Sequence, residues 1–152
     1  MRMPWNVFVF IYRRTSPGYE YLLLKRSDDS SWQGAAGGGE DGESPEEAAR
    51  REVAEETGLN VNSLFRLDTT GWVRAVYFNG RAEWGRDVYV VPIHYFAAGQ
   101  SGRVTISGEH DEYMWADYET AAMKLFWHDN LTALWELNER LKKNDIPASD
   151  EN

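Results

Sequence analysis

The chain has 152 residues, 42% apolar and 27% charged, with a net charge of −9 and no cysteine. That length and balance suit one globular domain, and the missing cysteine excludes a disulfide framework, a thiolate metal site and a cysteine nucleophile. An acidic chain without a Lys/Arg run lacks the basic surface of a nucleic-acid polymer binder, although bound divalent cations would let it accept small anions.

The first expected element is a mostly buried strand over Asn6–Tyr12 (NVFVFIY), an apolar run rich in β-branched and aromatic residues. Only about six consecutive apolar residues precede Arg13 and Arg14, too few for a signal peptide or a membrane span. A soluble cytoplasmic protein, monomer or homodimer, is expected. Ser16-Pro17-Gly18 is a turn, and Glu20–Arg26 (EYLLLKR) returns as a second strand. Ser27–Gly39 is polar and then glycine-rich, and reads as a loop.

A helix over Pro45–Thr57 has both ends written in the sequence. Ser44 is a good N-cap, Pro45 fits the first helical position, and Glu47 completes a capping box. Gly58 supplies the left-handed stop. Further strands are expected within Leu64–Phe78, over Asp87–Ala97 and over Glu112–Ala116, with Asn79-Gly80 as a hairpin turn. Pro92 points to an edge strand or a bulge. Asp117 caps a short helix reaching Lys124, and Asn130–Lys143 carries Leu131, Leu134, Trp135 and Leu141 on one face. The pattern is α+β: one mixed sheet between helices, a single domain over 1–144, and a frayed tail over 145–152.

Glu52, Glu55 and Glu56 sit near the wrong end of the first helix, because a helix C-terminus carries partial negative charge. At about 100° per residue, with Glu52 at 0°, Glu56 falls near +40° and Glu55 near −60°. Ala48, Ala49 and Val53 lie on the same side, while Glu46, Glu47, Arg50, Ala54 and Thr57 gather opposite. Glu46–Arg50 and Glu47–Arg51 read as favourable pairs four apart, whereas Glu52–Glu56 is a repulsive one. A merely solvated acidic face would not place carboxylates on the inward side. Broken local rules concentrated in one place mark a functional site.

Hard divalent cations resolve the conflict. Mg²⁺, or Mn²⁺ in its place, takes oxygen ligands and bridges protein carboxylates to substrate phosphates. A spare carboxylate can then take a proton from an attacking water.

The same residues resemble the signature of the Nudix hydrolase family, G-x5-E-x7-R-E-U-x-E-E-x-G-U with U aliphatic. Gly37, Glu43, Arg51, Glu52, Val53, Glu55, Glu56, Gly58 and Leu59 fill it in register. The resemblance implies a mixed sheet sandwiched between helices and Mg²⁺-dependent hydrolysis of a phosphoanhydride. It implies Glu52, Glu55 and Glu56 as metal ligands or base, a carbonyl at Gly37 or Gly38 as a further ligand, and Glu43–Arg51 as a supporting salt bridge. LLLKRSDDSSWQGAAGGGEDGES and EHDEYMWADYETA resemble the members that split dihydroneopterin triphosphate and nucleoside triphosphates. That likeness implies a metal-site or catalytic role for Glu109, with Glu112 as the competitor.

The implied reaction releases pyrophosphate and a monophosphate. Cleavage of a dinucleoside polyphosphate or an oxidised nucleotide is an alternative, and a ligand-sensing module without turnover is a third. The missing cysteine argues against the isopentenyl diphosphate isomerase branch. Val73 stands where ADP-ribose hydrolases often carry proline, and the NADH-type motif is missing. Trp32, Trp72, Tyr77, Trp84 and Trp115 are candidates to hold a ring, Trp32 first. Arg26, Arg74 and Arg86 are candidates for phosphate contact. His94 and His128 read as packing or cap residues, and His110 gains interest only from its neighbour Glu109.

Overall fold

The computed structural model describes residues 1–78 and 80–147. Its centre is β1 (Arg2–Arg14), whose Val7, Phe8, Val9, Phe10 and Ile11 are all at most 4% exposed. Burying each such side chain contributes about 1.5–3 kcal/mol relative to leaving it in water. Odd and even positions face opposite sides, so β1 feeds two cores at once.

β1 pairs antiparallel with β2 (Tyr19–Arg26) only over Tyr12–Arg14, and then the two strands part. The gap is filled by β3 (Trp32–Gln33), paired to β2, and β4 (Ala35–Glu40), paired to β1. The expected loop over Ser27–Gly39 is therefore largely strand. Its small residues have weak strand preference, and the pairing edge offered by β1 overrides it. β5 (Phe65–Arg74) and β6 (Val90–Gly99) extend the sheet on the other side, β6 running parallel to β1 from Asn6↔Ile93 to Tyr12↔Gly99. β7 (His110–Ala116) pairs with the free side of β2. The sheet is mixed and seven-stranded.

Pro92 does not mark an edge strand, since β6 lies between β1 and β5. Its pairing with β1 starts only at Ile93, so Pro92 faces a single neighbour, Trp72, and its missing N–H breaks no second ladder. The β5–β6 connection is not a tight hairpin. It contains a 3-10 turn at Ala75–Tyr77 and one helical turn, α2 (Arg81–Trp84), with Gly80 at φ −76°. Asn79, the first residue of the expected turn, lies outside the described residues.

α1 (Pro45–Thr57) has the expected bounds. The Glu47 N–H donates to Ser44 Oγ at 3.1 Å, the Ser44 N–H donates to Glu47 Oε1 at 2.8 Å, and Gly58 adopts φ 72°. It covers one face of the sheet over Val7, Val9, Leu22, Leu24 and Phe96. α3 (Tyr118–Lys124), capped by Asp117, and α4 (His128–Lys142) cover the other face over Phe8, Phe10, Tyr21 and Tyr95. Glu136 ties α4 to β5 by accepting from the Asp68 and Thr69 N–H groups at 2.7 and 2.8 Å. Past α4, the Asp145 N–H donates to the Arg140 carbonyl and Ile146 packs against the core. Residues 148–152, the rest of the expected tail, lie outside the described residues. Among those described, no helix is long and apolar enough to cross a membrane.

Candidate active site

The parting of β1 from β2 creates the site, because α1 lies across the glycines of β4 that fill the gap. A β-carbon at Gly37 would overlap the Glu52 carboxyl, so only glycine lets the helix approach so closely. Glu52 and Glu56 are 7% and 4% exposed, turned inward beside fully buried Ala48, Ala49 and Val53. Their carboxyl groups share a hydrogen bond, and the Ala36 N–H donates to Glu56 Oε1 at 3.1 Å.

Two predicted placements on this helix change. Glu55 is not turned inward: its side chain is 58% exposed and meets Arg51 Nη1 at 3.4 Å. It lies at the margin of the inward arc, where Arg51 draws it to the rim. Thr57, expected on the water side, is fully buried, its hydroxyl donating to the Val53 carbonyl at 2.7 Å while the chain after Gly58 folds over it. Nor do the expected surface pairs set the arginine positions. Arg50 reaches the Val61 carbonyl, and Arg51 turns to Glu43.

Arg51 is the organising cation. Its Nε and Nη2 donate to the two Glu43 oxygens at 2.6 and 2.9 Å, a bidentate pair that pushes the Glu43 carboxyl down and the guanidinium up from their ordinary ranges. Nη2 also reaches the Gly38 carbonyl at 2.9 Å, and Nη1 reaches Glu52 Oε2 at 2.8 Å. Burial pushes the Glu52 carboxyl up, opposed by the Glu56 hydrogen bond and by Arg51. Glu56 has no such cation. Burial and then the neighbouring charges of Glu52 and Glu109, against the opposing Ala36 N–H, push it up to about 9. With one proton between them, Glu56 holds it.

Glu109 approaches from outside the helix, just before β7. Its carbonyl accepts from the Ser27 N–H and the Ser27 hydroxyl, both at 3.0 Å, which pins the loop to the end of β2. Its charge is felt at Glu56. Glu112 lies within β7 and meets Lys25 Nζ at 3.3 Å. Burial pushes the His110 pKa down, opposed by the neighbouring charge of Glu109.

The structure does not gather the other candidates at one point. Arg26 ends β2 near Glu109 and donates to Asp28 at 2.9 Å. Arg74 ends β5, three strands away across the sheet, 5.9 Å from the centre of the Tyr77 ring. Trp32 packs on the α3–α4 face, opposite α1, with Lys124 Nζ 5.5 Å from its ring centre. Trp115 is covered by Arg13 and Trp84 donates to the Arg2 carbonyl, while Trp72 and Tyr77 are exposed. Arg2 escaped the sequence reading: it belongs to no motif, and its seat on Gly38 forms only in the folded sheet.

Among the described residues, no group of three or more His, Cys, Asp or Glu side chains is gathered closely enough to enclose a metal. The residues nevertheless fit a hard cation: two buried carboxylates in contact, one without a cationic partner, make an all-oxygen donor set. A helix thus carries acidic groups into a parted mixed sheet, an arrangement suited to holding a hard cation. The NUDIX domain profile matches residues 3–135, and the chain belongs to that family, whose members work with divalent metal.

Similar proteins agree. Nucleoside triphosphatase NudI of Salmonella agona is 33% identical over 117 residues, 70% of this chain and 78% of that protein. Its counterpart from Escherichia coli O139:H28 is 32% identical over 110 residues, 65% and 74% of the two chains. A NUDIX hydrolase structure from Listeria monocytogenes has a TM-score of 0.85 at 40% identity, covering 97% of this chain and 100% of that one. The Escherichia coli dihydroneopterin triphosphate pyrophosphohydrolase has a TM-score of 0.75 at 25% identity, covering 91% and 97%.

Proposed function

We propose that this chain hydrolyses a nucleoside or pterin triphosphate to a monophosphate and pyrophosphate with Mg²⁺, and that Mn²⁺ can substitute. The observation that carries this reading is the buried Glu52–Glu56 pair, two carboxyl groups in contact of which only Glu52 has a cationic partner, Arg51. The triphosphatase names of the relatives and the pterin-triphosphate activity of the structural neighbour support the substrate class.

Glu52, Glu56 and Glu109, with the Gly37 carbonyl, would hold the metal, and Glu55 adds a carboxylate at the rim. A divalent cation there supplies charge neutralisation for the phosphates and a more acidic water. Water attacks a phosphorus, the anhydride P–O bond breaks, and pyrophosphate leaves with that electron pair. The water proton passes to a carboxylate, for which Glu55, Glu52 and Glu109 are the candidates. Arg51, held by Glu43, fixes the Glu52 carboxyl. Trp32, Arg26 and Arg74 are proposed as contacts to the substrate's ring or phosphates.

The test is a panel of dihydroneopterin triphosphate, dATP, 8-oxo-dGTP, diadenosine tetraphosphate and ADP-ribose, with Mg²⁺ and with EDTA. Triphosphate turnover that stops in EDTA is expected. Turnover confined to diadenosine tetraphosphate or 8-oxo-dGTP would reassign the substrate, and none at all would leave a ligand-sensing module.

A further inference from the structure

The exposed apolar surface of this molecule is concentrated at one corner. In the 3-10 turn that follows β5, Val76 and Tyr77 are more than half exposed, and Tyr89, just before β6, is 73% exposed. The Ala75 N–H donates to the Tyr89 carbonyl at 2.8 Å, which holds those two segments side by side. Phe126 and Trp127 fill the α3–α4 junction, with Phe126 78% exposed and the two ring centres 5.4 Å apart. The Trp127 ring centre lies 6.5 Å from that of Tyr77. Exposed Trp72 is tied to the same corner, where its N–H donates to Asp129 Oδ2 at 3.2 Å. These six side chains form one aromatic patch around the end of β5.

Its size sets it apart from an ordinary monomer surface. A whole aromatic side chain offers about 150–250 Å², so these groups, each more than half exposed, present roughly 600–800 Å² between them. Monomers rarely leave a contiguous apolar patch above about 300–600 Å², whereas each partner of a stable pair contributes about 800 Å². β5 is an edge strand, yet this stretch of its edge is closed to strand pairing. Glu136 takes the Asp68 and Thr69 N–H groups, and Asp129 takes that of Trp72. A partner therefore docks on side chains. The connector between Tyr77 and Tyr89 indicates which partner. It carries Arg81, Glu83, Arg86 and Asp87, all exposed, so its charge is balanced where the whole chain stands at −9. A mixed rim of that kind complements itself when a two-fold axis sets it against its own copy. A strongly basic or strongly acidic partner would set like charge against half of it.

We propose that this patch is the contact face of a two-fold homodimer, with the aromatic side chains of two copies packed together and the charged connectors at the rim. Sedimentation equilibrium of the full chain should give twice the 17.5 kDa chain mass at about 100 μM, within the affinity range of interfaces this size, and show dissociation on dilution. Phe126→Ser on the helical side of the patch and Tyr89→Ser on its strand side should each weaken the dimer about thirtyfold or more, the scale of a lost aromatic anchor. Their circular dichroism spectra should be unchanged, and a change of fold in one variant leaves the other to decide. Tyr113→Ser is the control, because Tyr113 is 42% exposed on β7, which pairs with β2 on the other side of the sheet. It should leave the dissociation constant within about twofold. A wild-type chain that stays monomeric at about 100 μM would overturn the proposal. So would a dimer that both patch variants leave intact, or one that Tyr113→Ser weakens as much as they do.

Discussion

Glu52 and Glu56, one turn apart on α1, share a hydrogen bond between buried carboxyl groups, and Arg51 reaches only the first of them. Without metal, a proton on the pair relieves the cost of burying two like charges. The folded-state pKa of Glu56, about 9, lies above its ordinary 4.5, so the native chain holds a proton that the unfolded chain releases. The associated stability is present below about pH 4.5 and is lost as pH rises through about 9. Thermal unfolding in EDTA should therefore show Tm falling across that window. Glu56→Gln keeps the hydrogen bond without the charge, and should raise Tm at pH 8 in EDTA on the order of 5 °C. The same variant should lose roughly a hundredfold or more in kcat. Added Mg²⁺ should stabilise the wild type more at pH 8 than at pH 6, since the metal must displace the proton.

Arg51 makes a second prediction. It spans Glu43, the Gly38 carbonyl, Glu52 and Glu55, and only a planar fork reaches acceptors in those directions. Arg51→Lys keeps the charge but loses the bidentate geometry. Its kcat should drop by roughly tenfold to a hundredfold, as for partners that orient metal ligands. Glu43→Gln, which leaves Arg51 able to reach Glu52, should lose less. Steady-state kinetics on the best substrate decide it, and equal losses would contradict this division of roles.

The choice between Glu109 and Glu112 can be tested directly. Glu109 projects its charge onto Glu56 from a loop tied to Ser27, whereas Glu112 is occupied with Lys25. Glu109→Gln should lower kcat roughly a hundredfold, the scale of a lost acid–base or ligand group, and Glu112→Gln should stay within about threefold. The reverse order would move the role to β7.

The helix could be read to the residue because its signals are local: Ser44, Pro45, Glu47 and Gly58 each act within one turn. The inward turn of Glu52 and Glu56 followed from the same periodicity. Glu55 and Thr57 did not, since an angular wheel ignores both the pull of Arg51 at the rim and the chain that folds over the last turn. β3 and β4 were illegible for a different reason. Their pairing edge comes from residues distant in sequence, and AAGGG carries little strand preference of its own. The same distance hid Arg2, whose seat needs Asn6, Gly38, Phe78 and Trp84 together.

Gly37 offers the sharpest separation of site from scaffold. In Gly37→Ala, the new methyl and the Glu52 carboxyl would claim the same space, and Glu52 must yield because β4 is fixed by its pairing to β1. The displaced carboxyl loses its alignment with Glu56 and with Arg51 Nη1. Metal affinity, followed by Mn²⁺ titration, should weaken by about tenfold or more, in line with disturbed ligand orientation. Gly18→Ala is the matched control, because a β-carbon at Gly18 would meet nothing within 4 Å. It should leave Mn²⁺ affinity unchanged. Equal affinities in both variants would mean that Glu52 does not contact the metal, and the site would then have to be rebuilt around Glu56 and Glu109 alone.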